Sequence, residues 1–205
     1  MCTLSWKVEE KGGYQLLFSR DEQRSRPDAR EPALDGRGEA RWLAPLDPPG
    51  GGTWIFANHY GLTGCVLNAY DLAATAPESE APFESRGRLL LGLADAGTAE
   101  AVGPRLVEAV ATQRYQPCFL FALGPHAPPL AWRWDGRQVV PWAVTSQGIL
   151  TTSSVRPASV TAARERAFGD WRCGDGDLEA FHRAVDQSPD ATTVRMSRPD
   201  ARTVS

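Results

Sequence analysis

The chain has 205 residues, of which 42% are hydrophobic and 23% charged, and its formal net charge is −3. A chain of this length is expected to form one domain over residues 1–205 and to bury about 70% of the surface that it exposes when unfolded. It has no lysine-rich run or basic stripe, which argues against nucleic acid and anionic membranes as partners. No apolar run reaches the ~18 residues that a transmembrane helix needs.

The first residues contain no basic region followed by an apolar stretch, so we expect no signal peptide. The four cysteines lie far apart and form no Cys-x-x-Cys pair. In a chain without an export signal such cysteines are expected to be reduced thiols, which predicts a cytoplasmic location. Cys65 and Cys118 fall in apolar, strand-like runs and are expected to be buried small hydrophobic residues.

The first predicted element is a hairpin at the amino terminus. One strand runs from Thr3 to Val8, a glycine-containing turn follows, and the second strand covers Tyr14 to Phe18. The stretch from Ser19 to Gly52 is rich in Arg, Asp, Pro and Gly, which predicts a long loop that is either functional or disordered. The loops from Asp21 to Gly52 and from Ala73 to Glu84 are expected to shape a ligand pocket.

Strands and helices are mixed in the rest of the chain. Apolar runs bounded by turn residues predict strands at 53–57, 62–67, 117–123, 129–134, 147–150, 192–196 and 202–205. Apolar spacing of three and four residues predicts helices at 85–94, 99–112, 158–168 and 178–185. Strands at both ends of the chain with helices between them predict an α+β layered fold.

Cys2 is the candidate nucleophile. Methionine before a small residue is commonly removed, and removal of Met1 would give Cys2 a free α-amino group that can act as a base, with a pKa of about 7.7–8.0. Antiparallel pairing in the hairpin would bring Arg20 and Asp21 back beside the amino terminus. The arginine would stabilise a thiolate and the aspartate would hold the α-ammonium group. A second-position cysteine is more commonly incidental, and an Arg-Asp pair after a strand is more commonly a solvated turn.

Two segments near the amino terminus resemble a known family. Met-Cys-Thr at residues 1–3 and Phe-Ser-Arg-Asp-Glu at residues 18–22 look like the start of the NRDE (Transport and Golgi organisation 2-like) family, which is named for an Asn-Arg-Asp-Glu motif. Ser19 stands where that motif has asparagine. The same opening is similar to the choloylglycine hydrolases and penicillin V acylases, whose catalytic core is an N-terminal cysteine, an arginine and an aspartate. The resemblance carries these roles to Cys2, Arg20 and Asp21.

The resemblance also implies a fold. Those enzymes are N-terminal-nucleophile (Ntn) hydrolases, so we expect a four-layer αββα sandwich, in which two antiparallel sheets are flanked by helices. The rest of the chain follows the pattern of the NRDE family more loosely, so the resemblance extends over nearly the whole sequence.

A second segment, Asn58 to Asn68, resembles the acylase pattern Asn-x-x-Gly-Leu followed by Leu-Asn. By this resemblance Asn68 would donate a hydrogen bond to the tetrahedral oxyanion, a contribution worth about 2.7–4 kcal/mol in such reactions. Asn58, His59 in the adjoining turn and Trp54 on the preceding strand are candidates for substrate contact. An exposed turn histidine and a core tryptophan are the commoner cases.

The later part of the acylase pattern is less complete. The acylases carry another active-site asparagine after a later strand, but residues 149–154 read Ile-Leu-Thr-Thr-Ser-Ser, and the replacement stays open. A late arginine can be supplied by Arg156, Arg164 or Arg166. We select Arg164 because it shares a helical face with Phe168.

These patterns predict a cofactor-independent cysteine amidohydrolase that cleaves the C–N amide bond of a small molecule or small peptide through an acyl-enzyme on Cys2. The alternative is a non-catalytic binding or trafficking protein related to haem or lipid, with haem as the bound ligand. A domain without chemistry of its own is the third possibility. The histidines show no zinc-binding spacing, so no metal is predicted. No motif specifies the substrate, the pathway or the oligomeric state.

Overall fold

The computed structural model describes residues 2–75, 82–172, 177–183, 192, 194–195 and 200–204. The chain divides into two compact units. Unit 1 consists of Met1–Arg26 together with Ser146–Ser205, and unit 2 consists of Pro27–Thr145. Unit 1 is therefore built from both ends of the chain, whereas unit 2 is continuous in sequence. The prediction of a single domain over residues 1–205 stays a prediction.

The described residues form strands and helices that we number in chain order. The strands are β1 Cys2–Val8, β2 Tyr14–Gln23, β3 Arg30–Arg37, β4 Ala40–Leu46, β5 Ile55–Asn58, β6 Thr63–Asn68, β7 Cys118–Leu123, β8 Leu130–Trp134, β9 Val139–Trp142, β10 Gln147–Thr152 and β11 Ala201–Val204. The helices are α1 Arg86–Gly92, α2 Val102–Thr112, α3 Pro157–Arg172 and α4 Leu178–Arg183, with a 3₁₀ helix at Tyr70–Thr75.

Unit 1 contains a four-stranded antiparallel sheet in the order β10-β1-β2-β11. Side chains alternate between its two faces, because successive residues of a strand point in opposite directions. Leu4 and Trp6 are buried on one face. The other face carries Thr3 and Ser5, which are also buried. Helices α3 and α4 contact this second face through polar side chains and through an apolar cluster that includes Phe168, Leu178, Phe181, Leu17 and Ile149.

Unit 2 contains a seven-stranded antiparallel sheet in which β3 to β9 follow one another in sequence order. Its core combines apolar strand residues with one side of α1 and of α2, among them Phe56, Leu120, Leu89, Leu90 and Leu106. Cys65 and Cys118 are buried in β6 and β7, which confirms the prediction made for them. Across the described residues, none of the helices combines the length and the apolarity needed to cross a membrane.

The predicted loop from Ser19 to Gly52 is wrong over much of its length. β2 continues to Gln23, and β3 pairs with β4 in a hairpin. Every residue of β3 is exposed, so this strand lacks the alternation of apolar and polar residues by which strands are recognised. Strand β4 does alternate at its start, where Ala40 and Trp42 are buried, but its proline and charged neighbours concealed the pattern.

Other differences from the predicted elements are small. Strand β9 was not predicted because it contains Pro141; it is an edge strand of its sheet, where a missing N–H is tolerated. Of the strand predicted at 192–196, residues 193 and 196 lie outside the described residues, and residues 194–195 form a bend. Residues 76–81, 184–185 and 205 of other predicted segments also lie outside them.

Candidate active site

The strand register puts Arg20 and Thr152 on either side of Cys2. Cys2 is the Cα partner of Arg20 on β2 and of Thr152 on β10. Directly opposed residues in a sheet direct their side chains to the same face. All three residues are buried, with exposed fractions of 9% for Cys2, 9% for Arg20 and 6% for Thr152. The thiol therefore lies in a row between a guanidinium group and a hydroxyl group.

Arg20 is held in this row by an acidic neighbour. Its Nη2 forms an ion pair with Glu22 Oε2, two residues further along the same strand and on the same face. The same Glu22 oxygen lies 3.7 Å from Arg26 Nη1. Glu22 thus orients a cation beside the thiol.

Burial is the main influence on the thiol. It raises the pKa of Cys2 above its ordinary value of 9.0, and the negative charge of Asp21 acts in the same direction. The positive charges of Arg20 and Arg164 lower it, but they do not outweigh burial. The resting thiol is consequently protonated at neutral pH, and a reaction at Cys2 requires a base to take its proton.

Asp21 and Arg164 meet on the opposite face of the same sheet. Arg164 of α3 is fully buried, and its Nη2 lies 3.1 Å from Asp21 Oδ2. Its Nη1 donates to Thr3 Oγ1 at 2.7 Å and to Thr151 Oγ1 at 3.4 Å. Thr203 Oγ1 donates to the other Asp21 oxygen, Oδ1, at 2.5 Å.

The predicted residues of unit 1 thus form two groups. Cys2 and Arg20 share one face, while Asp21 and Arg164 share the other. Asp21 still follows directly after the cross-strand partner of Cys2, so its backbone lies at the amino-terminal end of β1. The negative charge of Asp21 also acts on the Cys2 thiol.

His182 is a buried polar residue that the sequence reasoning did not select. It lies on α4, and its ring nitrogens bond to Ser5 Oγ at 2.7 Å (Nε2) and to Ser19 Oγ at 2.7 Å (Nδ1). Burial and the nearby Arg164 charge lower the pKa of His182 to about 4. The ring is therefore neutral at physiological pH. Ser19 is the residue that replaces the motif asparagine, and here it holds this histidine.

The buried polar side chains on this face of the sheet form a layer that consists of Thr3, Ser5, Ser19, Asp21, Thr151, Arg164 and His182, here called the polar layer. Its signal was present in β1 but ambiguous. Thr3 and Ser5 alternate with Leu4 and Trp6, which by pattern alone indicates a strand with one solvent-facing side. The structure instead covers that side with α3 and α4. Nothing in the local sequence indicated that His182 would supply the covering group.

Two of the predicted residues in unit 2 stand at strand ends. Asn68 is the last residue of β6, is partly buried, and donates from Nδ2 to the hydroxyl of Tyr70 at 2.7 Å. Trp54 precedes β5 and is also partly buried; its carbonyl accepts from Val66 N at 3.0 Å. Their predicted catalytic and substrate-binding roles stay predictions.

Asn58 and His59 form the turn between β5 and β6. Asn58 Nδ2 donates to the carbonyls of Ala94 and Ala96 at 3.0 and 2.8 Å. Its Oδ1 accepts from Tyr60 N at 3.0 Å and from Leu62 N at 3.1 Å. Asn58 therefore uses its amide oxygen to hold the turn and its amide nitrogen to attach the turn to the segment that follows α1. His59 is exposed, and its Nδ1 accepts from Arg41 N at 3.1 Å.

Unit 2 also has an open cavity of about 460 Å³ whose lining includes Arg86, Arg88 and Gln116. None of the predicted site residues lines it. Within the part of the chain that the structure describes, no group of three or more His, Cys, Asp or Glu side chains is arranged to hold a metal ion.

The fold is similar to that of a known amide hydrolase. A Caenorhabditis elegans ortholog of N-acylethanolamine-hydrolyzing acid amidase matches with a TM-score of 0.52 and 10% sequence identity, over 87% of this chain and 81% of that chain. Penicillin V acylase from Agrobacterium tumefaciens aligns with a TM-score of 0.47 and 13% identity, over 95% of this chain and 63% of that chain. With its two antiparallel sheets and its helices, the chain is an α+β protein with an Ntn-hydrolase-like fold, as predicted.

The family follows from the sequence comparison. A family model for Transport and Golgi organisation 2 matches residues 1–123, which is more than half of the chain. The chain belongs to the Transport and Golgi organisation 2 family, and the family predicted from the residues near Cys2 is confirmed. Among curated proteins, none gives a significant match.

Proposed function

We propose that the protein is an N-terminal cysteine hydrolase that cleaves the C–N amide bond of a small molecule through an acyl-enzyme on Cys2. The observation that carries the proposal is the pairing of Cys2, at the amino end of β1, with Arg20 on the same face of the sheet. The fold supports the reaction class, because a protein of similar fold is named for hydrolysing N-acylethanolamines, which are small amides.

The first step requires the α-amino group of Cys2, which removal of Met1 would supply. This amine takes the thiol proton while Sγ attacks the carbonyl carbon of the amide. The S–C bond forms, and the carbonyl π pair moves to the oxygen. A base is needed here because burial keeps the thiol protonated. Arg20 would stabilise the negative charge that develops on sulfur during proton transfer.

In the second step the tetrahedral intermediate collapses. The oxygen re-forms its double bond, the C–N bond breaks, and the leaving amine takes a proton from the α-ammonium group. Water then attacks the thioester carbonyl carbon while the α-amine accepts a proton from the water. The S–C bond breaks, the carboxylic acid product leaves, and the sulfur takes the proton back from the α-ammonium group, which restores the thiol and the free amine. Asp21, held by Arg164 and Thr203, would orient the α-ammonium group. The oxyanion role of Asn68 remains a prediction from the resemblance. A reducing compartment, the cytoplasm in this proposal, would keep Cys2 as a thiol.

The test combines mass spectrometry with an acylating probe. We expect the intact mass of the purified protein to lack Met1, and p-nitrophenyl acetate at neutral pH to acetylate Cys2 with a burst of p-nitrophenol. The Cys2→Ala variant should lose the adduct and the burst, and it should also lose turnover of any amide found by screening N-acyl amides. The Cys118→Ala variant is the matched control, because it removes a buried thiol from unit 2 and should keep the burst.

Retained Met1 would contradict the proposal, since the base would be missing. Acetylation of another residue, or unchanged amide turnover in Cys2→Ala, would contradict it as well.

A further inference from the structure

One hydroxyl beside Cys2, that of Thr152, has no hydrogen-bond partner among the described residues. Thr152 ends β10, and its Oγ1 is inaccessible to solvent and forms no hydrogen bond with any residue that the structure describes. A buried hydroxyl without a partner destabilises the folded state, so each such group in a native protein calls for an explanation.

The neighbouring hydroxyls of this region are all bonded. Thr151 Oγ1 lies 2.9 Å from Thr3 Oγ1 and donates to the carbonyl of Cys2 at 3.2 Å. Ser153 Oγ donates to the carbonyl of Val155 at 2.6 Å. These residues flank Thr152 on both sides in sequence, so the missing bond is specific to the side chain that shares a face with the thiol.

Thr152 is also within reach of chemistry at Cys2. Opposed residues of an antiparallel pair have Cβ atoms about 4.5–5.5 Å apart. In the resting state Thr152 Oγ1 does not bond to Cys2 Sγ. The hydroxyl is therefore left available to an atom attached to the carbon that Sγ attacks.

We infer that Thr152 is a catalytic residue: its hydroxyl donates a hydrogen bond to the substrate oxygen that becomes negatively charged when Sγ adds to the carbonyl carbon. This inference rests on the proposed function. In the attack step the S–C bond forms and the carbonyl π pair moves to the oxygen. The Thr152 hydroxyl then donates its hydrogen bond to this negatively charged oxygen. The bond exists in the transition state and not in the free protein, which is the condition for lowering the barrier.

If the Thr152 hydroxyl donates only in the transition state, its removal should affect stability and reaction rate in opposite ways. The Thr152→Val variant keeps the branched shape and removes the hydroxyl, so it also removes the unpaired buried group. We expect the urea midpoint of unfolding to rise. We expect the rate of Cys2 acetylation by p-nitrophenyl acetate to fall about 10²-fold.

Alkylation provides the second readout. Iodoacetamide reacts with the same sulfur but forms no oxyanion, so its rate at Cys2 should be unchanged in Thr152→Val. The Thr152→Ser variant keeps a hydroxyl at the same position and should retain most of the acetylation rate. Together the two reagents separate oxyanion stabilisation from activation of the thiol.

The outcomes distinguish this inference from the proposed function. If the wild-type protein is acetylated at Cys2 and Thr152→Val reacts equally fast, the inference is wrong and the function stands. A less stable Thr152→Val variant that is slowed equally with both reagents would assign Thr152 a structural role. If the wild-type Cys2 is not acetylated, the proposed function fails, and the role of Thr152 fails with it.

Discussion

Arg164 is the residue on which the polar layer of unit 1 depends. It lies on the buried stripe of α3 between Val160 and Phe168, positions that are four residues apart and share one side of the helix. A guanidinium group in that position loses its hydration, and its contacts with Asp21, Thr3 and Thr151 take the place of water. Because the pair is buried, the loss of one partner leaves an uncompensated charge on the other.

We therefore expect Arg164→Met to lower the free energy of unfolding by about 3–5 kcal/mol, since Asp21 would keep its buried negative charge. Urea denaturation followed by tryptophan fluorescence measures this. Arg183→Met is the matched control, because Arg183 pairs with Glu179 at an exposed site on α4. Its effect should be about 0.5 kcal/mol or less. Equal effects of the two substitutions would show that the buried pair contributes no more than an exposed one.

At the scale of elements, the pairing of β1 with β10 positions the row that contains Cys2. The two strands pair over Cys2 to Lys7, and Trp6 lies opposite Gly148. A Cβ atom added to Gly148 would lie 2.6 Å from Trp6 Cζ2, because the indole ring covers the glycine. The ring is fully enclosed, with an exposed fraction of 2%, so it has little room to move. The absence of a side chain at Gly148 leaves room for the tryptophan ring beside the strand that ends in Thr152.

We expect Gly148→Ala to lower the free energy of unfolding by about 1–3 kcal/mol, because the new methyl group overpacks a filled site. Gly169→Ala is the control. Gly169 lies in the interior of α3, and a Cβ atom there would contact nothing within 4 Å. That substitution should raise the free energy of unfolding by up to about 1 kcal/mol through helix propensity. Thermal and urea unfolding measure both variants, and a neutral Gly148→Ala would show that Trp6 can shift.

At the scale of the whole molecule, the polar layer makes stability depend on pH. His182 is neutral in the folded chain because burial and the Arg164 charge lower its pKa to about 4, against 6.5 for the free side chain. Ser5 and Ser19 are the groups that face its two nitrogens, and their hydroxyls can accept from a protonated ring. The cost of protonation therefore comes from burying a charge beside Arg164, and not from lost hydrogen bonds.

The direction of the pH dependence follows from the difference between the His182 pKa values of the folded and unfolded chain. Above pH 6.5 both states hold a neutral ring, so His182 adds no pH dependence. Between pH 6.5 and about 4 the unfolded chain binds a proton that the folded chain does not, so stability falls as pH falls. Its contribution to this loss is about 2 kcal/mol from pH 7 to pH 5.

We expect His182→Gln to reduce the loss of unfolding free energy between pH 7 and pH 5 by about 2 kcal/mol, as measured by urea denaturation at each pH. His126→Gln, at an exposed position, should leave that loss unchanged. If His182→Gln retains the full loss, another group governs the acid sensitivity.

Elements that depend on residues close in sequence could be predicted. They are the amino-terminal hairpin, the turn at Asn58, the helices and most strands. The pairing of Cys2 with Arg20 belongs to this group, since a hairpin with a short turn determines its own register. The β3–β4 hairpin could not be predicted, because a strand exposed on both faces carries no apolar periodicity.

The sequence by itself determined the family, the α+β class and the residue types that surround Cys2, since these follow from local motifs and periodicity. The tertiary structure decided which distant groups join them. The Thr3 hydroxyl meets Thr151 from 148 positions away, Ser5 meets His182 from 177, and Asp21 meets Arg164 from 143. The pattern of a strand shows that one face differs from the other, but it does not show what will cover that face. The packing of α3, α4 and β10 decided it: the hydroxyls on the covered face are bonded, whereas the Thr152 hydroxyl on the other face has no partner among the residues that the structure describes.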